Sequence, residues 1–300
     1  MLNRPRKDIV EIFGYSPDDT TRQCRTLWNI GACPFINKTC SKTNHDKSIT
    51  YGTCSVTSPF GDCIICPNRL YADNYNSLKE VSKDAFGENI PFFTFDDFIK
   101  NRENISKCIV ALGMNSGKEI KVGNSLSMDW VLAKILNGTL NEYTGIEVQS
   151  IDITGNYRDT WYAYKNIKTA KTIPTSAHGM NWANVHKRLI PQLIRKGQVY
   201  SRSALVKTGI YFILPNIVYR KFEEIIGKDI PLLTNKRADN ITVHTYALSD
   251  QVLHGQQRGL KIERKIRFSL DDFSKRFISG PNLPSGGELD QAIRCTLGVK

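Results

Sequence analysis

The chain has 300 residues, with 41 Lys and Arg against 29 Asp and Glu, and its formal net charge of +12 is spread along the sequence rather than gathered in a tail. This length is enough for one large domain or two smaller ones, and the basic balance predicts a polyanionic partner such as nucleic acid. No apolar run approaches the roughly 20 residues that span a bilayer. The polar start at residues 1–8 is not typical of a signal peptide, so we expect a cytoplasmic protein without membrane contact.

In chain order, the apolar pattern predicts two short helices, an irregular cysteine-rich segment, two further helices, and then an alternation of strands and helices. Asn137-Gly138 is a hairpin-turn signal between two of the strands. The layout is mixed α/β, with a boundary near Tyr71 that separates residues 1–71 from residues 72–300. The predicted helices are 6–13, 18–28, 77–86, 94–101, 181–196, 216–226, 270–277 and 288–297, and the predicted strands are 108–112, 127–132, 143–153, 207–214 and 241–248.

Six of the eight cysteines lie in the first quarter of the chain. In a reducing compartment, such density predicts a metal site rather than disulfides. Pro, Gly or Ser beside the thiols indicates turns, in which four sulfurs can converge on a structural iron or zinc ion, and nearby Lys38, Lys42 and Arg69 are expected to lower the pKa of the thiols. The alternative is a set of scattered buried or free cysteines. We predict Cys33, Cys40, Cys54 and Cys66 as the ligands, with Cys24 and Cys63 as alternates.

A second group of polar residues lies on the predicted strand that carries Glu147 and Gln149. Alternate residues of a strand point to the same side, so these two side chains share one face. If Asp129 lies on the neighbouring strand, its carboxylate and that of Glu147 can hold one hard divalent cation, with Gln149 placed to orient a water beside it. The alternative is a solvated strand face. Asp152 points to the opposite face by strand parity, so we expect a structural role or a contact with a basic group.

The order of helix, strand, hairpin and flanking helix around Asp129 and Glu147-Val-Gln149 resembles the core of the PD-(D/E)xK nucleases. Motifs in the N-terminal segment make the resemblance more specific, because they point to one family among these nucleases. Trp28-Asn-Ile-Gly-Ala-Cys-Pro-Phe35 with Cys40, then Gly52-Thr-Cys54 and Cys66-Pro-Asn-Arg-Leu70, ahead of Glu147-Val-Gln-Ser-Ile-Asp-Ile-Thr-Gly155, is similar to the NotI family of type II restriction endonucleases. The likeness is strong over roughly the first half of the chain and rests on layout over the remainder.

The resemblance implies a PD-(D/E)xK restriction-endonuclease-like core, a mixed sheet flanked by helices, preceded by an N-terminal cysteine-rich segment that holds a structural iron. Asp129 and Glu147 would bind the catalytic Mg²⁺, and Glu119 would be an accessory carboxylate. Gln149 would occupy the position where most of the wider superfamily has a lysine. A glutamine cannot act as a base, but it can orient a water by hydrogen bonds, and the NotI family shares this Glu-x-Gln pattern.

The implied function is the Mg²⁺-dependent, site-specific hydrolysis of double-stranded DNA, in which water attacks phosphorus in line and leaves a 5′-phosphate and a 3′-hydroxyl. A C2 homodimer would read a palindromic site. A cognate DNA methyltransferase of the same restriction-modification system would protect the bacterial or archaeal host. Two alternatives are a non-catalytic DNA-binding protein with a zinc or iron site, and a PD-(D/E)xK repair or mobile-element nuclease without strict site specificity.

Four segments mix basic, amide and aromatic side chains and are candidates for contact with phosphates or base edges. Each is equally compatible with a solvated helix face or loop. His178 and His186, in the second of them, are not expected to be metal ligands. The segments are 157–159, 178–188, 200–202 and 256–258.

Overall fold

The computed structural model describes residues 6–116, 118–122, 126–280 and 283–299. Its helices are α1 (Arg22–Ile30), α2 (Ala72–Phe86), α3 (Phe95–Asn101), α4 (Arg158–Lys165), α5 (Ile190–Tyr200), α6 (Asn216–Ile226), α7 (Leu270–Ser279) and α8 (Gly286–Leu297). Its strands are β1 (Ile9–Ile12), β2 (Ala32–Cys33), β3 (Lys38–Thr39), β4 (Thr53–Ser58), β5 (Gly61–Ile64), β6 (Phe92–Thr94), β7 (Lys107–Gly113), β8 (Lys121–Val122), β9 (Leu126–Ser127), β10 (Trp130–Leu136), β11 (Thr139–Val148), β12 (Ile153–Thr154), β13 (Gly179–Met180), β14 (Ile210–Pro215), β15 (Asn240–Leu248) and β16 (Leu260–Ser269). Short 3₁₀ turns cover Pro67–Tyr71, Arg102–Asn104 and Met114–Ser116, and a π-helical turn covers Val185–Leu189.

A mixed seven-stranded sheet has the strand order β16-β15-β14-β11-β10-β7-β6. The strands β7, β10 and β11 form an antiparallel meander, whereas β11 pairs parallel with β14 and β14 pairs parallel with β15. Parallel neighbours need crossover connections, and these contain α5 between β11 and β14 and α6 between β14 and β15. The carboxyl ends of β11, β14 and β15 therefore meet at one edge of the sheet.

Helices cover both faces of this sheet. On one face α5, α6 and α7 pack together against the strands from β11 to β16. On the other face lies α2, whose Asp84 accepts hydrogen bonds from Tyr211 of β14 at 2.7 Å and Arg267 of β16 at 2.8 Å. The next strand residue, Phe212, points the opposite way and packs against Phe222 of α6, with ring centroids 5.5 Å apart. The predicted mixed α/β class, with a sheet flanked by helices, is confirmed.

His244 of β15 is buried beside Asp84, and within the described part of the chain neither of its ring nitrogens has a hydrogen-bond partner. Burial is the largest cause that lowers the pKa of His244 to about 4; the charge of Lys265 adds to this shift and that of Asp84 opposes it. Glu80 and Arg267 are the other charged groups that act on the ring. The imidazole is therefore neutral in the folded protein at neutral pH.

We expect acid to destabilise the fold through His244. Its pKa of about 4 in the folded protein lies below the ordinary 6.5, so the unfolded chain binds the proton first as the pH falls. This contribution to stability is complete above about pH 6.5 and is lost by about pH 4, a loss of about 3 kcal/mol in the free energy of unfolding. Urea unfolding across this range measures it. His244→Phe should have a shallower pH dependence, and equal slopes for the two proteins would contradict the assignment.

The N-terminal residues form a strand, so the predicted helix over residues 6–13 is wrong. β1 pairs antiparallel with β4, and β4 pairs with β5, in a small three-stranded sheet. The β-branched residues Ile9, Val10 and Ile12 favour a strand that has a partner, whereas a helix of this length is marginal in water. The second predicted helix is present, but it begins at Arg22 and ends at Ile30.

Several boundaries elsewhere differ from the predictions. The hairpin turn at Asn137-Gly138 is confirmed, and both residues have the positive φ that a tight hairpin requires. The strand predicted over residues 143–153 runs instead from Thr139 to Val148. The helix predicted over residues 181–196 begins with the π-helical turn and continues as α5 to Tyr200. The helix α4 and the edge strand β16 were not predicted.

A buried ion pair joins β1 to the 3₁₀ turn Pro67–Tyr71. The side chains of Arg69 and Glu11 are 0% and 1% exposed, and Arg69 Nη2 lies 2.9 Å from Glu11 Oε1. The guanidinium also lies 4.9 Å from the ring centroid of Phe35 and donates to the backbone carbonyl of Arg258. Loss of either partner would leave a buried charge uncompensated, so this pair fixes the turn that follows Cys66.

One hydrophobic core extends through residues on both sides of position 71. Trp28 of α1 stacks on Trp161 of α4, with ring centroids 5.4 Å apart. The division into residues 1–71 and 72–300 stays a prediction. In the described ranges, the chain has no helix that combines the length and the apolar character needed to cross a bilayer.

Candidate active site

Asp129 and Glu147 lie side by side, one just before β10 and the other near the end of β11. The two strands are antiparallel neighbours, with Trp130 paired to Ile146. The backbone N–H of Val148 donates to Asp129 Oδ2 at 2.8 Å, and the N–H of Asp129 donates to Glu147 Oε1 at 3.4 Å. These reciprocal hydrogen bonds hold the two carboxylates at the same place between the strands, as the proposed metal site requires.

The two carboxylates are electrostatically unfavourable neighbours. Burial is the largest cause that raises the pKa of Glu147 to about 7; the charge of Asp129 adds to this shift and Lys196 opposes it. Burial also raises the pKa of Asp129, against the N–H group of Val148 and the charge of Lys196. Like charges held together away from water need a compensating cation. A divalent ion would supply that compensation.

Lys196 of α5 is the third charged group at this place, and sequence reasoning missed it. Its Nζ lies 2.6 Å from Glu147 Oε2, and the two side chains are only 13% and 5% exposed. The helix can approach β11 because residue 145 is a glycine: a Cβ there would lie 2.5 Å from Met128 Cε and 2.6 Å from the ring of Tyr200. The sequence did carry a signal for Lys196, because this lysine lies one helical turn after Gln192 in the helix predicted over residues 181–196.

Gln149 lies at the mouth of a polar cleft of about 260 Å³ beside the carboxylates. Its backbone N–H donates to the carbonyl of Ile213 at 2.9 Å, which extends the β11–β14 pairing by one residue. By strand parity its side chain therefore shares the face of Glu147. Cations and amides line the cleft, and such groups suit phosphates and base edges. The polar residues that line it are Lys42, Gln149, Ser150, Asp152, Asn184, Arg188 and Gln192.

Glu119, the predicted accessory carboxylate, lies near enough to Asp129 to raise the pKa of that group. Its own carboxylate pairs with Lys121 Nζ at 3.4 Å, and its side chain is 31% exposed. The structure thus brings all four predicted residues, Asp129, Glu147, Gln149 and Glu119, to one end of the β10–β11 hairpin. Asp152 accepts a hydrogen bond from Asn184 Nδ2 at 2.8 Å and lines the same cleft as Gln149.

Packed aromatic side chains lie between the carboxylates and the cysteine-rich segment. Tyr71 and Tyr75 both pack edge-on against Trp130, with ring centroids 5.6 Å and 5.3 Å from it. Burial raises the pKa of the Tyr71 hydroxyl, and the nearby charge of Asp129 raises it further. Tyr71 ends the 3₁₀ turn that begins directly after Cys66. Cys66 is therefore connected to Asp129 through five residues and one ring contact.

The four cysteines predicted as metal ligands are buried and act electrostatically on one another. Burial raises the pKa of Cys40 to about 11, and Cys66 and Cys33 raise it further. Burial is also the main cause of the raised pKa of Cys33 and of Cys54, and Cys66 adds to both shifts. Four thiols that influence one another in this way are a donor set suited to a tetrahedral iron or zinc ion.

The two alternate cysteines have different surroundings. Burial raises the pKa of Cys24 to about 11 and that of Cys63 to about 12, and the charges that raise them further belong to Asp19 and Asp62. These neighbours are carboxylates rather than thiols. The surroundings therefore favour the set Cys33, Cys40, Cys54 and Cys66, which stays a prediction.

Backbone N–H groups point at three of the four sulfurs. The N–H of Lys42 lies 3.5 Å from Cys40 Sγ, and donors from residues 35–36 and 68–69 lower the pKa of Cys33 and Cys66. Such donors would stabilise thiolates around a metal. The expectation that basic neighbours bring the pKa of these thiols below the ordinary value is wrong for the metal-free protein, because burial outweighs the effect of Lys42 and Arg69.

No group of three His, Cys, Asp or Glu side chains has a metal-binding arrangement within the residues that the structure describes. The carboxylate pair does not need a third such ligand, because Mg²⁺ commonly uses one or two carboxylates and keeps waters or substrate oxygens. The four thiols would have to turn toward one point on binding an ion. Their burial, proximity and N–H donors fit such an ion chemically.

The predicted DNA-contact segments divide into buried and exposed residues. His178 is buried, with Nδ1 2.6 Å from Ser176 Oγ and Nε2 2.8 Å from the carbonyl of Thr57, so its role is structural. Arg258 donates to Asp62 at 2.8 Å, which occupies it within the fold. The side chain of His186 lies outside the described residues. Arg158, Arg188 and Arg202 are exposed and remain candidates for contact with DNA.

No family model matches the chain, and no curated protein is similar to it at a significant level.

Proposed function

We propose that this protein is a type II restriction endonuclease that hydrolyses double-stranded DNA in the presence of Mg²⁺. The observation that carries the proposal is the buried pair of Asp129 and Glu147, held together by reciprocal backbone hydrogen bonds beside a polar cleft. Paired carboxylates with raised pKa values, at the ends of two neighbouring strands, are typical of a site that binds a divalent cation. The net charge of +12 supports a nucleic acid as the substrate.

The residues divide the chemistry among them. Asp129 and Glu147 would hold Mg²⁺, which stabilises the charge that develops on the phosphate. Gln149 would orient the attacking water, and Glu119 would accept a hydrogen bond from a water in the outer part of the site. As the water oxygen bonds to phosphorus, the bond to the 3′ oxygen breaks and that oxygen takes up a proton. A 5′-phosphate and a 3′-hydroxyl result.

The strand order supports a PD-(D/E)xK core. An antiparallel meander of β7, β10 and β11 is followed by α5 and then by β14, parallel to β11. The carboxylates lie at the open end of the β10–β11 hairpin, opposite its turn, as the resemblance to this nuclease core implies. The NotI-like assignment rests on the additional Trp28–Phe35 and Cys66–Leu70 motifs and on the thiol cluster, which we propose to hold a structural iron or zinc.

The partners follow from the chemistry of the substrate. Cleavage of both strands of a palindromic site by identical subunits is achieved most simply by a C2 homodimer. Arg188 and Lys42, which both line the polar cleft, are suited to contact phosphates. A methyltransferase that modifies the same site would protect the host DNA and would not need to contact this chain.

The test is incubation of the purified protein with long unmethylated DNA in Mg²⁺ and, separately, in EDTA. We expect discrete fragments with Mg²⁺ and none with EDTA, and Asp129→Asn should give none in either condition. A smear would indicate a nuclease without site specificity. Salt-sensitive DNA binding with no cleavage of several DNAs would replace the proposal with the non-catalytic DNA-binding protein.

A further inference from the structure

The ion pair between Lys196 and Glu147 is short and shielded from water. Its Nζ–Oε2 distance is 2.6 Å, and both side chains are at least 87% shielded from solvent. The charge of Lys196 lowers the pKa of Asp129 as well as that of Glu147. The ammonium group therefore acts on both carboxylates that would bind Mg²⁺.

The net charge of the site favours a catalytic role of Lys196 over a structural one. Asp129 and Glu147 carry −2 and Lys196 carries +1, so the ionised site without metal has a net charge of −1. One Mg²⁺ brings the sum to +1, which matches a single DNA phosphate of charge −1. Without Lys196 the loaded site would be neutral and would attract the phosphate less strongly. The lysine thus adapts the site to an anionic substrate.

The direction of α5 also connects Lys196 to the cleft. Gln192 lies one helical turn before Lys196, and Arg188 lies in the π-helical turn that precedes α5. Both Arg188 and Gln192 line the cleft that contains Gln149. A DNA strand in this cleft would place successive phosphates along the helix and lead one of them toward the carboxylates.

We propose that Lys196 is a catalytic residue that contacts the scissile phosphate and supplies, from α5, the positive charge that Gln149 cannot supply from β11. This inference rests on the proposed nuclease function. The ammonium group of Lys196 stabilises the charge that develops on the phosphate oxygens. When Mg²⁺ and DNA bind, the ammonium group leaves Glu147 and pairs with the phosphate instead.

The experiment compares Lys196→Met with Lys134→Met in the full-length protein. Lys134 forms an ion pair of the same length with Glu142, 2.6 Å, in the same hairpin, and the two side chains are 16% and 17% exposed. Lys134→Met is therefore a matched control for the structural cost of losing one lysine. We expect Lys196→Met to lower the single-turnover cleavage rate at saturating DNA by about 10²- to 10³-fold, and Lys134→Met to leave it within about threefold.

A double variant tests whether Lys196 acts through its positive charge or only through its structural contacts. Lys196→Met combined with Gln149→Lys returns an ammonium group to the site from the strand, and we expect at least a tenfold recovery of the rate. A merely structural lysine would not be replaced in this way. Binding of Mn²⁺ to the DNA-free protein, followed by electron paramagnetic resonance, gives a second readout. Loss of the positive charge in Lys196→Met should tighten Mn²⁺ binding several-fold, whereas Lys134→Met should not change it.

Cleavage by Lys196→Met at the wild-type rate, with Glu147→Gln inactive, would overturn the role of Lys196 and leave the nuclease function intact. Unchanged Mn²⁺ affinity in Lys196→Met, or a double variant no faster than the single one, would also overturn it. Absence of cleavage by the wild-type protein would overturn the nuclease function and this inference together.

Discussion

Glu147→Gln is expected to lower the rate of DNA cleavage by about 10³-fold or more while DNA binding stays equal or becomes tighter. The amide keeps the volume of the side chain but removes one of the two charges that would hold Mg²⁺. The metal ion would stabilise the transition state by several kcal/mol, so its loss lowers the rate strongly. Removal of a negative charge beside the phosphate also reduces repulsion. Single-turnover cleavage with Mg²⁺ and DNA binding with Ca²⁺ measure the two effects separately.

The control for this variant is Glu142→Gln on the same strand. Glu142 also forms a 2.6 Å ion pair, with Lys134, but it lies near the hairpin turn and away from Asp129. We expect Glu142→Gln to cleave at nearly the wild-type rate and to match Glu147→Gln in thermal stability to within a few degrees. Equal cleavage by Glu147→Gln and the wild-type protein would remove the carboxylate pair from the mechanism.

Serine at any one of the four predicted ligand cysteines is expected to abolish a bound structural metal and to lower the free energy of unfolding by about 4 kcal/mol or more. The wild-type protein should contain about one iron or zinc ion per chain by elemental analysis. Visible absorption separates the two, because an iron tetrathiolate absorbs and a d¹⁰ zinc site does not. The variants are Cys33→Ser, Cys40→Ser, Cys54→Ser and Cys66→Ser.

The controls are Cys24→Ser and Cys63→Ser, which also place a hydroxyl in a buried position. This substitution alone costs about 1–3 kcal/mol, so stability by itself does not distinguish the two groups. Metal content does. We expect both controls to retain the metal, and loss of metal from either one would show that the ligand set is wrongly chosen.

The central strands and the positions of the two carboxylates followed from local patterns. Alternation of apolar residues and the Asn137-Gly138 turn were enough to predict the β10–β11 hairpin, and the hairpin brings Asp129 next to Glu147. Lys196 did not follow, because its place depends on the packing of α5 against Gly145, where Tyr200 and Gly145 are 55 positions apart in the sequence. Such approach is decided by the close packing of the whole core rather than by a local pattern.

The N-terminal error had a related cause. A short run such as Ile9–Ile12 is compatible with a helix or a strand by its periodicity, and here its pairing with β4 decides the outcome. The pKa of the thiols was wrongly predicted because neighbouring cations can be read from the sequence and the depth of burial cannot. In Cys66, desolvation outweighs the effects of both Lys42 and Arg69.

The turn from Cys66 to Tyr71 connects the cysteine-rich segment mechanically to the neighbourhood of Asp129. Arg69, in the middle of that turn, is anchored to Glu11 without access to water, so the turn has little freedom to absorb a displacement. A shift of the Cys66 sulfur would therefore be transmitted to the Tyr71 ring, which lies against Trp130 next to Asp129. We therefore expect oxidation of the thiols to displace the carboxylate pair through this turn.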